Sequence, residues 1–315
     1  MKSIFKLLSV SLALAIAFVY MSCSKDVAVT NYATQNVIVV VVDGARYTET
    51  WGEPNHQFIP HRSSMLSEGV FCNRFYNQGT TSTVPGHTAM CTGVYQEINN
   101  GGAEYPLYPS FLQCWLHDYH RPASEAWVIT TKDKLAVLSN CTHADWKDHY
   151  VPNTDCGING LSTGYREDST TFRKVKQTLK SYHPRLMLIN FKQPDAAGHA
   201  NDSMAYLQGI IDTDNYVYQL WNEIQNDDFY KNRTTLLVTN DHGRHTAGHL
   251  NGFVTHGDDC DGCRHIELFG LGPDFKKNYI SSVRYEQIDI ANTVAQLLGI
   301  QMPFAKGRCM SDILK

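Results

Sequence analysis

Neither sign of charge dominates this chain: 27 Lys and Arg stand against 31 Asp and Glu, a net charge of −4 at pH 7. That balance excludes a general nucleic-acid binder, and an anionic ligand must find a local positive site. Repeats and low-complexity tracts are missing, so an ordinary packed domain is expected. The CDGC stretch with Cys260 and Cys263 has no second CxxC to complete a four-thiolate zinc site. It reads as a tight disulfide or as free thiols. No apolar run is comfortably long enough to span a bilayer. Leu7 to Val19, behind Lys2 and Lys6, reads instead as an export signal over residues 1–22.

Ser22-Cys23 resembles a bacterial lipoprotein junction, which would make Cys23 the lipidated first residue and residues 23–35 a linker. The expected location is the periplasm or the outer membrane, with membrane contact through the lipid only. Eight of the nine cysteines then remain for an oxidising compartment, where some could pair. Residues 36–315 are enough for one large domain with a full core, since the chain is 43% hydrophobic and 18% charged. Insertions are expected at about 94–125 and 140–165.

What the chain does contain is a series of buried-strand signals. Residues 37–46, VIVVVVDGAR, are apolar at every position up to Asp43, as a parallel strand covered on both faces requires. Asp43 then stands at the carboxyl end, where ligands of open α/β sheets gather. Further strands are expected at 127–130, 185–191, from 234 up to Asp241, and at 265–273. Residues 59–76 read as a short helix and a strand. Helices are expected at about 166–181, 203–226 and 288–298. Pro106, Pro109 and Pro122 mark 94–125 as loop over the sheet edge. Alternating strands and helices predict an α/β fold, a mostly parallel sheet sandwiched by helices.

Four of these strand ends carry chemistry. In TSTVPGHTAMCTG, residues 81–93, Thr83 sits at the mouth of a helix; Pro85 suits the first turn, Gly86 lets a ligand come close, and free backbone N–H groups suit an anion. Asp195 and His199, four apart in PDAAGH, can share a metal ion. Asp241 and His242 are adjacent at the next strand end, with His245, His249 and His256 following. In TTKDKL, Lys132 and Lys134 would share one face of an extended segment with an anion between them. Each has an ordinary explanation alone: helix caps for Thr83 and Asp43, a solvated surface pair for the lysines. Their common edge outweighs those explanations. Carboxylates and imidazoles without thiolate suit zinc, manganese or iron, and six such ligands suffice for two ions about 4 Å apart. A hydroxyl beside two ions suits in-line displacement on a phosphorus or sulfur ester.

In order, these motifs resemble the alkaline phosphatase superfamily over about residues 36–315: strand-Asp43, T-x-P-G-H-x-x-x-x-T-G from Thr83 to Gly93, D-x-x-x-H from Asp195 to His199, Asp241-His242, and His256-Gly257. The resemblance implies an alkaline phosphatase-like core with an insertion over the active-site edge. One ion would be held by Asp43, Asp241, His242 and the Thr83 oxygen, the other by Asp195, His199 and His256. His256 is preferred over His245 and His249 for its following glycine and strand; His265 reads as structural. Family analogy favours two zinc ions, with manganese as the alternative. A formylglycine sulfatase is not implied, because Thr83 replaces the required Cys or Ser and His87 the arginine.

Within the superfamily the chain resembles the threonine-nucleophile phosphatases and the nucleotide pyrophosphatase/phosphodiesterase branch. TTKDKL resembles the K-D-R stretch of the former, with Lys134 in place of arginine. Both branches imply an Asn touching the phosphoryl group, and Asn100 or Asn99 is expected there. The leading expectation is a phosphomonoesterase acting through a phosphothreonine on a small phosphorylated substrate, with no nucleic acid as a structural partner. The alternatives are a phosphodiesterase or nucleotide pyrophosphatase with the same metals, and a noncatalytic lipoprotein that binds an anion or glycan.

Overall fold

The computed structural model describes residues 31–315, so the export-signal and Cys23 readings lie outside the described residues. Strand β1 (Asn36–Val42) runs through the middle of a nine-stranded sheet and is buried at all seven positions. Its side chains alternate between two cores. Val37, Val39 and Val41 join one and Ile38, Val40 and Val42 the other, which is why the run is apolar throughout. The remaining strands are β2 (Val70–Tyr76), β3 (Ala126–Thr130), β4 (Asn153–Cys156), β5 (Leu186–Phe191), β6 (Thr234–Thr239), β7 (His265–Leu271), β8 (Tyr279–Ser281) and β9 (Tyr285–Glu286).

The sheet order is β4-β3-β5-β1-β6-β7-β2-β8, with β9 also against β2. Val39 of β1 lies opposite Leu188 of β5 and Leu237 of β6, both in parallel register. The mostly parallel α/β sheet expected from the sequence is therefore present. Strand β7 departs from it, pairing antiparallel with both β6 and β2. The chain from 240 to 264 stays at the carboxyl edge of β6 and makes no long crossover helix, so it can re-enter only in the opposite direction. The carboxyl ends of β1, β3, β5 and β6 consequently share one edge with the start of β7.

Helices cover both faces. On one lie α1 (Pro60–Met65), α4 (Asp168–Tyr182) and α6 (Ser203–Asn226), packing Phe172, Val175, Ile210 and Val217 against the sheet. Helix α6 starts where Asp202 accepts the Ala205 N–H at 2.9 Å. On the other face are α2 (Thr83–Thr92), α3 (Phe111–Tyr119) and α8 (Asp289–Leu298), with Met90, Trp115 and Val294 in the core. The short α5 (Asp195–His199) and α7 (Asp261–Arg264) sit at the functional edge.

One expectation is corrected and one open question is answered. Within 94–125, read as loop from its prolines, Phe111–Tyr119 is a helix whose first six residues are buried. Pro106 and Pro109 mark the approach to its Ser110 cap and leave the helix itself intact. The pairing that the sequence left open is absent among the described residues: all eight cysteines there, Cys260 and Cys263 of CDGC included, are free thiols, six of them buried. No helix among the described residues is long and apolar enough to cross a membrane.

Candidate functional site

Helix α2 begins at Thr83 itself, immediately after the extended Ser82, and every residue of the helix is buried. The expected reason for Gly86 needs correction. A Cβ there would lie 2.5 Å from the carbonyl oxygen of Asp241, so the glycine lets the helix meet the end of β6, not a ligand. That close approach sets Thr83 beside Asp241 and His242.

Asp43, at the end of β1, and Asp241 and His242, after β6, form one group of potential ligands; Asp195, His242 and His256 form a second. His242 Nε2 stands 3.7 Å from Asp43 Oδ1 and 3.4 Å from Asp241 Oδ2. Across the site, Asp195 Oδ1 lies 3.4 Å from His199 Nε2 and 3.5 Å from His256 Nε2. The His242 and His256 rings stack at 3.8 Å. Each has its orientation fixed from behind: His242 Nδ1 reaches the Gly243 carbonyl and His256 Nδ1 the Thr81 carbonyl, both at 2.8 Å. Those bonds aim both Nε2 atoms inward. The structure thus joins His256 to Asp195, whereas His245 and His249 turn to Asp258, at 3.2 and 2.9 Å. His265 stacks on Tyr47 at 3.9 Å and Tyr76 at 4.7 Å, in keeping with a structural part.

Lys132 and Lys134 reach the same place by a different route from the one expected. Strand β3 stops at Thr130 and Lys132 leads into a 3-10 turn, Asp133–Ser139, so the pair does not lie on one face of an extended strand. Lys132 Nζ donates to Asp43 at 2.8 Å, Asp195 at 2.7 Å and Thr83 Oγ1 at 3.2 Å. Lys134 Nζ donates to Asn100 Oδ1 at 3.3 Å, and the same oxygen accepts the Val84 N–H of α2 at 2.9 Å. Asn100, not Asn99, therefore borders the start of α2 at Thr83; Asn99 accepts from Gly101 instead.

Charge explains this geometry. Asp43, Asp195 and Asp241 are all buried, which is costly by several kcal/mol per uncompensated ion. Burial alone would lower the Lys132 pKa, but Asp195 and Asp43 outweigh it and hold the ammonium charged. Burial would likewise raise Asp195, yet the charges of Lys132 and Arg244 keep it well below the ordinary carboxylate range. Asp241 is pushed well above it, first by burial and then by Asp43. The three imidazoles are neutral: burial lowers His242 to about 3 and His256 to about 2, and lowers His199 as well. Neutral imidazole is the metal-binding form. Asp241 Oδ2 and His242 Nε2 are buried 3.4 Å apart without a hydrogen-bond partner, an arrangement that suits a cation held between them.

Two supporting residues escaped the sequence reading. Arg244 is fully buried, pairs with Asp195, and donates to the Val254 carbonyl at 2.5 Å. It directly extends the Asp241-His242-Gly243 run, which was its one signal. Asn190, a polar residue inside the apolar β5, donates to Asp43 Oδ2 at 3.0 Å.

Comparison with known proteins agrees with this architecture. The profile of the family "Type I phosphodiesterase / nucleotide pyrophosphatase" matches residues 37–258. Among curated relatives, bis(5'-adenosyl)-triphosphatase ENPP4 of Bos taurus is 24% identical over 205 residues, 60% of this chain and 44% of that protein. The chain thus spans less than half the length of the curated relatives it matches. Among solved structures, a protein in the alkaline phosphatase superfamily from Vibrio parahaemolyticus superposes with a TM-score of 0.66 at 12% identity, covering 90% of this chain and 71% of that one. Murine ectonucleotide pyrophosphatase / phosphodiesterase 5, an inactive form in complex with AMP, gives a TM-score of 0.62 at 16% identity over 89% of this chain and all of that one. These structural likenesses establish a shared fold, and the profile match over most of the chain goes further: the protein belongs to the type I phosphodiesterase / nucleotide pyrophosphatase family.

Proposed function

We propose that the protein is a phosphomonoesterase that works through a phosphothreonine at Thr83. The observation that carries this reading is the convergence of two ammonium groups on the mouth of α2, Lys132 on Thr83 Oγ1 and Lys134 on Asn100. A monoester presents a dianionic phosphoryl group, and two cations favour it over a singly charged diester. The donor set fits two divalent ions, zinc before manganese: Asp43, Asp241, His242 and the Thr83 oxygen would hold one, and Asp195, His199 and His256 the other. Such ions, when bound, supply charge neutralisation at the entering and leaving oxygens.

The chain's own residues do the rest. Thr83 Oγ1 forms a bond to phosphorus as the bond from phosphorus to the ester oxygen breaks, and the leaving oxygen takes a proton from solvent. The Thr83 proton passes to water, because Lys132 is already protonated and can only donate to the oxygen that forms. A non-bridging phosphoryl oxygen at the helix start would take over the Val84 N–H, which here donates to Asn100 Oδ1, and would meet the Asn100 amide N–H beside it. Water then cleaves the phosphothreonine, restoring the hydroxyl and releasing phosphate. The same proposal has the protein act on small phosphorylated molecules outside the cytoplasm, tethered through Cys23.

A second reading, a nucleotide phosphodiesterase, is favoured by the family profile and by the AMP held in the murine relative. A noncatalytic binding protein is the weakest of the three, since a role in binding alone has no need of a buried threonine hydroxyl on an ammonium group. Purified protein is expected to hydrolyse an aryl phosphate with higher kcat/KM than its methyl diester, and Thr83→Ala to lose at least about 10³-fold. A strong diester preference would favour the second reading, and turnover that survives Thr83→Ala would reject the nucleophile.

A further inference from the structure

His245, His249, Asp258 and Cys260 bring one ligand atom each to within 4.8 Å of one another, away from the thiol-free site just described. The arrangement is built. Thr255 Oγ1 meets His245 Nδ1 at 3.0 Å, which leaves Nε2 to face the cluster. That ring is 3% exposed, and its Nε2 has no hydrogen-bond partner. Asp258 Oδ1 accepts the Cys260 N–H at 3.1 Å, so Oδ2 is left between the two imidazoles. The His245 and His249 rings meet edge to face at 5.0 Å, converging on that oxygen. A buried imidazole nitrogen aimed, without a hydrogen bond of its own, at a carboxylate, an imidazole and a thiol is an arrangement that a cation completes.

We propose that these four residues form an additional zinc site, distinct from the phosphoryl-transfer centre. Two imidazoles, a carboxylate and a thiolate make the closed tetrahedral set of a structural zinc, and the thiolate selects zinc over magnesium, calcium or manganese. The CDGC stretch, which lacks a second CxxC, finds its remaining ligands in the preceding loop. The position gives the site a purpose. His245 is three residues beyond His242, and Asp258 two beyond His256. The Asp258 carbonyl accepts the Thr81 hydroxyl at 2.7 Å, two residues before Thr83. An ion here pins both ends of the 242–258 loop, and with them two of the imidazoles facing Asp195, against the nucleophile turn.

The test is cobalt substitution of the reduced, metal-stripped full chain. A tetrahedral cobalt–thiolate gives an intense near-ultraviolet charge-transfer absorption that the phosphoryl-transfer centre, holding no sulfur, cannot produce. The band is expected in the wild type, Cys263→Ser and Thr83→Ala proteins and absent from Cys260→Ser. Zinc analysis of His249→Ala, an exposed position whose fold is checked by circular dichroism, is expected to show one equivalent fewer than the wild type. No band in the wild type, a band that survives Cys260→Ser, or unchanged zinc in His249→Ala overturns the proposal. Because Thr83→Ala keeps the band whether or not it keeps turnover, failure of the catalytic reading and failure of this one are distinguishable.

Discussion

Lys134 offers the sharpest probe of the catalytic reading, because its charge, unlike that of Lys132, is not already matched. Lys132 Nζ is held between Asp43 and Asp195 at 2.8 and 2.7 Å, so its field at the substrate is largely cancelled. Lys134 Nζ touches only the neutral Asn100 oxygen at the helix mouth and stays free to face an incoming anion. A monoester carries one charge more than its methyl diester. An ammonium about 4 Å from that charge interacts by about 4 kcal/mol at an effective dielectric constant of 20, and partial solvent exposure reduces this to roughly 1.4–2 kcal/mol. Lys134→Ala should therefore cost the aryl monoester about 10- to 30-fold more kcat/KM than the diester. Burial and the charge of Lys132 lower the Lys134 pKa below the ordinary lysine value. The charged form is the useful one, so monoesterase activity should fall as pH rises through that lowered pKa, on an alkaline limb earlier than a solvent-exposed lysine would set. Lys134→Arg, which stays charged, should abolish that limb and retain or raise monoester turnover. Equal losses on both substrates in Lys134→Ala, or a limb unmoved by Lys134→Arg, would refute the assignment.

Gly86→Ala should depress both metal content and activity, because its Cβ would enter the Asp241 carbonyl and push α2 off β6; activity within a factor of two of wild type would show that the contact yields cheaply. Chelation should abolish turnover and lower thermal stability, by roughly 2.7 kcal/mol where the ion had stood at about 100 times its dissociation constant, with zinc restoring both; chelator-resistant activity would exclude the two-ion centre. Arg62 is buried between Asp214, at 2.9 Å, and Glu267, so Arg62→Ala leaves two buried carboxylates unmatched and should cost about 3–5 kcal/mol in urea unfolding; an unchanged midpoint would refute the triad's part in stability.

How much of this was legible beforehand follows from how far each side chain can reach. Asp43, Asp195, Asp241 and His242 were readable because short side chains stay where their backbone is, and an apolar run ending in an acid places that backbone at the sheet edge. Longer chains break the link: Lys132 arrives from a 3-10 turn and not from the extended segment its spacing suggested, and Arg244 reaches back to Asp195 through four bonds that no local pattern constrains. The direction of β7 was hidden for a related reason. A residue apolar on both faces reads alike in either direction, and only the missing crossover between β6 and β7 decides. Loop histidines are the extreme case. His245, His249 and His256 lie within twelve residues with no periodicity to separate them, and their division between Asp258 and Asp195 is set by Thr255 and Thr81, which orient the rings from behind. The imidazole that faces Asp195 is thus oriented by the backbone carbonyl of Thr81, two residues before Thr83, so the turn that leads into α2 also fixes which loop histidine joins the buried carboxylates.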